Sequence, residues 1–283
     1  LNHESAQKYG NPVPVMNPQN SEMSDLRPSL LHGMLSTISR NIKVKEKNLR
    51  LFEIGHVFKK LNENKIKGFE DFTEEEHILF ALTGNSIENE WGQQEKKYDF
   101  YDLKGFVNES LKNIYLDNLI SYSYNNSRNV HLEYSYDIIY QKNVLAVGGK
   151  VIKSLLKEYD IEQEVYVFDF NISKLKEIKP GTKRFSELLK YPKIIRDFAF
   201  VVDNNIDSSV IIDTIKNTGS KLLKNIKLFD IFESGSLGEG KKSLAYQLEF
   251  YDENRTLTEE EVEKDFWKII EEIKTKHKAQ LRG

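Results

Sequence analysis

The sequence predicts an α+β protein built as two modules, and three observations lead there. Stretches rich in aliphatic and aromatic residues alternate apolar and polar positions, as half-buried strands do. Between them lie segments whose apolar residues recur at three and four, as on one face of a helix. A basic stretch, "KLKEIKPGTKRFSELLK", contains Pro180-Gly181 and separates two such sets, so the modules are placed at 1–180 and 181–283. An antiparallel sheet with flanking helices is expected first, then a β-α-β-β-α-β unit.

The elements follow in order. The first 20 residues carry Pro12, Pro14 and Pro18 among polar residues and read as extended and irregular. In "SDLRPSLLHGMLSTISRNIK", Pro28 suits a first helical turn, and Leu31, Met34, Leu35 and Ile38 form one apolar face. "NLRLFEIGHVFKK" and "HILFALTGN" read as strands. "YDFYDLKGFVNESLKNIY" is a helix with Leu103, Phe106, Val107, Leu111 and Ile114 on one side. Strands are expected near "LISYSYNN", across "LEYSYDIIYQKNVLAVGGKV" with a turn at Gln141-Lys142-Asn143, and at "VYVFDFNIS".

In the second module, "RDFAFVVD" is a strand, "SSVIIDTIKNTG" a helix closed by Gly219, and "NIKLFDIFES" and "KSLAYQLEFYD" are strands. A long helix follows, opened by a Thr258/Glu261 capping box and buried along Val262, Phe266, Ile269, Ile270 and Ile273. A short strand near "QLRG" completes the ferredoxin-like order.

Composition excludes several chemistries. The 283 residues contain no cysteine, which removes disulfides, thiolate metal sites and cysteine nucleophiles. With 41 basic and 44 acidic residues, the net charge of -3 gives no global signal for nucleic acid. No apolar run approaches the roughly 18 residues of a membrane span. The six histidines form no H-E-x-x-H pair, so no metal site is expected, and His32 and His56 read as partly buried polar contacts.

"GSLGEGKKS" imitates a phosphate-binding loop, with Gly235, Gly240 and Lys241 at the right spacing. Such a loop needs a helix directly after it, whose free N–H groups hold the phosphates. Here Leu244, Leu248 and Phe250 alternate, so a strand follows, and Gly235, Gly238 and Gly240 serve a hairpin tip with positive φ. Asp102 and Lys104 sit at a helix start, where Asp favours the dipole. Glu53 is either on a solvent face or in an interface salt bridge. Residues 181–283 are charge-neutral, yet Lys216, Lys221, Lys224 and Lys227 cluster, and Lys241 and Lys242 stand at the hairpin tip. Such a cluster suits a solvated face or a phosphate contact.

Several long strings carry a family resemblance: "MNPQNSEMSDLRPSLLHGML", "NLRLFEIGHVF", "FYDLKGFVNESL", "YPKIIRDFAFVVD" and "LFDIFESGSLGEGKKSLAYQLEFYDENRTLTEEEV". From about residue 11 onward the chain resembles the C-terminal half of the bacterial phenylalanyl-tRNA synthetase beta subunit. The resemblance implies a class II synthetase-like antiparallel sheet that does not perform the reaction, then a ferredoxin-like anticodon-binding domain. Class II enzymes hold ATP with arginines; Arg50 stands in "LRLFEIG", but "VLAVGGKVIK" has no arginine to hold a triphosphate.

For the second module the resemblance implies contact with the anticodon region of phenylalanine tRNA. It points to Tyr191, Lys193, Arg196, Lys224, Lys227, Lys241 and Lys242, cations for phosphate and an aromatic face for an unpaired base. Tyr191 could equally pack at the linker, and Asp197 could pair with Arg196 or cap a turn. The implied partners are phenylalanine tRNA and an alpha subunit in an α2β2 heterotetramer, with no membrane. ATP and Mg²⁺ would serve the whole enzyme in the cytoplasm, with the active site in alpha and no cofactor bound by this part. The beta subunit's editing, OB-like and B5 regions are absent, and with no initiator Met the chain reads as a C-terminal piece. A competing reading is a protein-interaction scaffold without an RNA contact.

Overall fold

A computed structural model describes residues 1–61, 66, 68–88, 90–117, 119–125, 129–181 and 189–282. It divides into two compact units, Leu1–Arg184 and Phe185–Gly283. The division falls within 182–188, outside the described residues, a few positions beyond the boundary expected from Pro180-Gly181.

The first unit opens with α1 (His3–Gln7), where irregular chain was expected. Asn2 Oδ1 accepts from the Ser5 N–H at 2.8 Å and caps it. A helix of five residues is too short to display a period in sequence. β1 (Val13–Pro14) pairs with β2 (Asp25–Leu26). α2 (Leu31–Lys43) buries the expected Leu31, Met34, Leu35 and Ile38. Pro28, however, stands ahead of the helix rather than in its first turn, and Ser29 Oγ takes the Leu31 N–H at 3.1 Å.

β3 (Leu49–Lys60) and β4 (Phe72–Thr83) then pair antiparallel along their whole length. β5 (Asn85–Ile87) and β6 (Lys96–Lys97) form a small ladder before α3 (Phe100–Asn113). Asp99 and Asp102 make a reciprocal capping box at the start of α3, so Asp102 has a structural role. Phe100, Leu103, Val107 and Leu111 are the buried stripe of α3. Phe106 and Ile114 are not part of it: they are 46% and 48% exposed, because the face against the sheet is narrower than the apolar count suggested.

β7 (Ile120–Asn125), β8 (Leu132–Tyr140) and β9 (Asn143–Val151) form a meander, with Gln141 at φ 54° in the predicted turn. After α4 (Lys153–Glu158) come β10 (Val165–Asn171) and α5 (Ile172–Leu175). The six-stranded sheet runs β3-β4-β10-β9-β8-β7. One face packs Val57, Leu79, Ala81, Val165 and Val167 against α2 and α4. The other packs Leu82, Ile138, Tyr166, Phe168 and Phe170 against α3.

In the second unit, β11 (Ile194–Asp203), α6 (Ser208–Thr218), β12 (Leu223–Phe232), β13 (Lys241–Phe250), α7 (Glu259–His277) and β14 (Gln280–Arg282) follow the predicted order. Their sheet, β12-β13-β11-β14, is antiparallel throughout, which is the ferredoxin-like topology. The α7 capping box is present, and Val262, Ile269, Ile270 and Ile273 are buried, with Phe266 packed at the margin. Phe198, Phe200, Leu244, Tyr246, Leu248 and Phe250 meet Ile211 and Ile215 of α6 in the same core.

Candidate nucleic-acid interface

The Gly-rich stretch joins two antiparallel strands, β12 and β13, and no helix follows it. Gly238 and Gly240 take φ of 98° and 71°, conformations that a side chain resists. Gly235 does not share this feature; it begins a short 3-10 turn, Gly235–Leu237. The phosphate-loop geometry is therefore absent.

In the first unit, the positions suggested by class II chemistry lie on β3 and β9. Arg50 is exposed on β3, and Glu53 forms a salt bridge within the chain, to Arg27 Nη1 at 2.6 Å. A Cβ on Gly148 would lie 2.2 Å from the Phe168 ring, and one on Gly149 would lie 1.9 Å from the Tyr134 carbonyl oxygen. These glycines serve close packing within the sheet. Lys150 is held between Glu164 at 2.7 Å and Glu133 at 3.2 Å. Among the described residues, no group of three His, Asp or Glu side chains could hold a metal ion. His32 Nδ1 meets the Tyr159 hydroxyl at 2.5 Å, as expected of a half-buried polar contact, and burial lowers its pKa. His56 is exposed, contrary to expectation, because it lies on the outward register of β3.

The second sheet is different. Both of its helices pack on the face carrying Phe198, Phe200, Tyr246 and Leu248, and neither covers the other face. Register assigns the uncovered side. Ala199 pairs with Ala245, Val201 with Ser243 and Asp197 with Gln247 across β11 and β13. Asn225, Lys227, Asp230 and Phe232 of β12 pair with residues on this same face. Arg282 of β14 pairs with Ala199 and lays its guanidinium 5.1 Å from the centre of the Phe232 ring.

The β-bulge at Leu228/Asp230 creates this arrangement. Strict alternation from Leu228 would send Asp230 and Phe232 into the core. The extra residue, Phe229, shifts the phase by one and turns both to the uncovered face. Phe232 is 40% exposed there, beside a floor of short side chains, Ala199, Ser243 and Ala245. Sequence reading missed Asp230, Phe232, Ser243 and Arg282. The available signal was an aspartate at a core register of "LFDIF", since a lone charge there implies a phase shift.

The seven residues singled out from sequence scatter. Lys227 and Lys241 lie on the uncovered face by register. Lys193 reaches Glu249 at 3.0 Å. Arg196 pairs with Glu259 of α7 rather than with Asp197, and is thus drawn toward the helices. Lys242 is on the core-side register and donates to the Asn204 carbonyl at 2.9 Å. Lys224 sits 5.6 Å from the Tyr251 ring centre, and Tyr191 is half-buried ahead of β11.

A four-stranded sheet with helices behind it, and an aromatic ring, a guanidinium and short side chains in front, makes an open-faced sheet platform. Residues 190–282 match the ferredoxin-fold anticodon binding domain, and residues 1–172 match the phenylalanyl tRNA synthetase beta chain CLM domain. The chain belongs to the phenylalanyl-tRNA synthetase beta chain family.

Its similar relatives include the phenylalanine–tRNA ligase beta subunits of Syntrophotalea carbinolica, 32% identical, and Listeria monocytogenes, 33% identical. These alignments cover 96% and 95% of this chain and 33% of each relative. The chain thus spans about a third of the length of the curated relatives it matches. Among solved structures, a pyrrolysyl-tRNA synthetase from Desulfitobacterium hafniense aligns with a TM-score of 0.43 and 16% identity, covering 59% of this chain and 52% of that one. No weight rests on a likeness of that size.

Proposed function

We propose that this chain is the part of a phenylalanine–tRNA ligase beta subunit that binds the anticodon region of phenylalanine tRNA and supplies assembly surface to an alpha subunit. The single observation that carries the RNA contact is Phe232, turned out of the core by the bulge and backed by Arg282. An unpaired base stacks on the ring, while the exposed Asp230 stands on the same face as an acceptor for base-edge donors. The catalytic step, with its ATP and Mg²⁺, belongs to the alpha subunit of a cytoplasmic α2β2 enzyme. The first unit serves as a non-catalytic scaffold.

Charge refines the reading. By register the uncovered face carries Lys227, Lys241 and Arg282 against Asp197, Asp203, Asp230 and Glu249. Such a balance favours contacts to bases over a broad grip on phosphates. The test is a titration of the chain with phenylalanine tRNA and with an unrelated tRNA at two salt concentrations. Tighter binding to phenylalanine tRNA, weakening only modestly with salt, is expected. Equal binding, or none, would favour the second reading, an assembly module without an RNA contact. The pairing of Lys193 and Arg196 with glutamates supports that alternative.

A further inference from the structure

Several lysines of the first unit are held by carboxylates. Lys96 meets Asp102, Lys112 meets Glu109, and Lys150 sits between Glu133 and Glu164. Lys104 of α3 differs. Among the described residues it has no hydrogen bond and no ion pair. Its Nζ stands 4.5 Å from the centre of the Tyr122 ring on β7, and its side chain is half-buried.

The surroundings explain the missing partner. α3 carries two acids, Asp102 and Glu109. Asp102 accepts from the Asp99 N–H and from Lys96, each at 3.0 Å, and Glu109 takes Lys112 at 3.4 Å. β7 has no acid, and Ile120, Tyr122 and Tyr124 stand in register with Tyr140, Ile138 and Tyr136 of β8, so this side of the two strands carries no carboxylate. The Tyr122 hydroxyl donates to Asn108 Oδ1, and burial pushes its pKa up to about 12, so the phenol stays neutral. A ring face attracts a cation but replaces only part of the water that burial removes. Burial accordingly pulls the Lys104 pKa below the ordinary lysine value, with no carboxylate to offset it. At Lys8, Lys96 and Lys150 carboxylates raise the value instead. Gly105 is exposed, and a Cβ there would meet nothing within 4 Å, so the helix surface beside Lys104 is open to a small reagent.

We propose that Lys104 is a modification site, the lysine of this chain that small acyl phosphates acylate first. Its neutral Nζ attacks the acyl carbonyl carbon, an N–C bond forms, and the C–O bond to phosphate breaks. Phosphate leaves with that electron pair and one amine proton, and an amide remains at Nζ. A lysine among apolar groups and without a counter-charge holds more of its neutral, nucleophilic form at neutral pH than a hydrated one. Acylation here breaks no ion pair and removes a half-buried charge. The site lies in the first unit, and the tRNA titration does not bear on it.

Timed exposure of the whole chain to acetyl phosphate over a range of pH tests the proposal, with the rate at each lysine read by peptide mass spectrometry. At neutral pH Lys104 should react at least about fivefold faster than the exposed Lys45. Its rate should also level off at a lower pH than the Lys45 rate. Tyr122→Ala opens the amine to water and should bring the two rates together. If that variant does not fold, the two pH profiles of the unaltered chain decide. Acylation of Lys104 no faster than that of Lys45, or coincident pH profiles, would overturn the proposal. So would an unchanged Lys104 rate in a folded Tyr122→Ala.

Discussion

The two sheets of this chain are both antiparallel and both packed on helices, yet they are finished differently. The six-stranded sheet has an apolar cluster on each face, so much of its surface is spent on its own core. The four-stranded sheet has one core face and one face of short or polar residues around Phe232. The difference teaches that helices on both faces bury a sheet between two cores, while helices on one face leave the other side of the sheet open. Function is then read from what occupies the uncovered side.

The largest effect would come from the faces that the two sheets share in kind. Phe168 and Phe200 are fully buried in their respective cores. Phe168→Ala and Phe200→Ala should each cost about 3–5 kcal/mol in denaturant unfolding. Phe232→Ala sharpens the contrast, since the ring is on the uncovered side. It should weaken tRNA binding by about 1–3 kcal/mol while leaving the thermal midpoint nearly unchanged. A drop in stability with unaltered affinity would make Phe232 a packing residue and remove the platform.

Smaller effects follow at the termini and the hairpin tip. Thr258→Ala removes the side-chain acceptor for the Glu261 N–H and should cost about 1 kcal/mol by chemical denaturation. The two tip lysines should separate. Lys241→Ala should reduce the salt slope of tRNA binding by about 1, whereas Lys242→Ala should leave it unchanged, because Lys242 is engaged by Asn204.

The last prediction concerns pH. Bonds from Arg255, then from the Thr258 backbone, pull the Glu261 pKa down to about 2. A folded-state value below the ordinary carboxylate value stabilises fully above the latter and is lost as pH falls toward the folded value. The difference in thermal midpoint between the unaltered chain and Glu261→Gln should therefore close between about pH 4 and pH 2. Glu261 lies at an exposed helix start, so salt should shrink the gap as well.

Features set by neighbours in sequence were legible there. The Thr258/Glu261 box needs residues three apart, and the alternation Leu244, Leu248, Phe250 needs only the period of a strand. The hairpin reading of "GSLGEGKKS" followed from that same alternation. Features set across distance were not legible. Arg196 finds Glu259 and Glu53 finds Arg27 only when separate elements meet. Phe106 shares the apolar side of its helix by spacing, but only the packed helix reveals how wide the covered part of that side is.

By itself, then, the sequence determined the order of the longer strands and helices and which of their positions are apolar, because periodicity and capping act within a few residues. The platform was decided by tertiary structure. One extra residue in β12 carries little local signature, yet in a paired sheet it reverses every later side chain, and so it turns Asp230 and Phe232 outward to meet Arg282 from the far end of the chain.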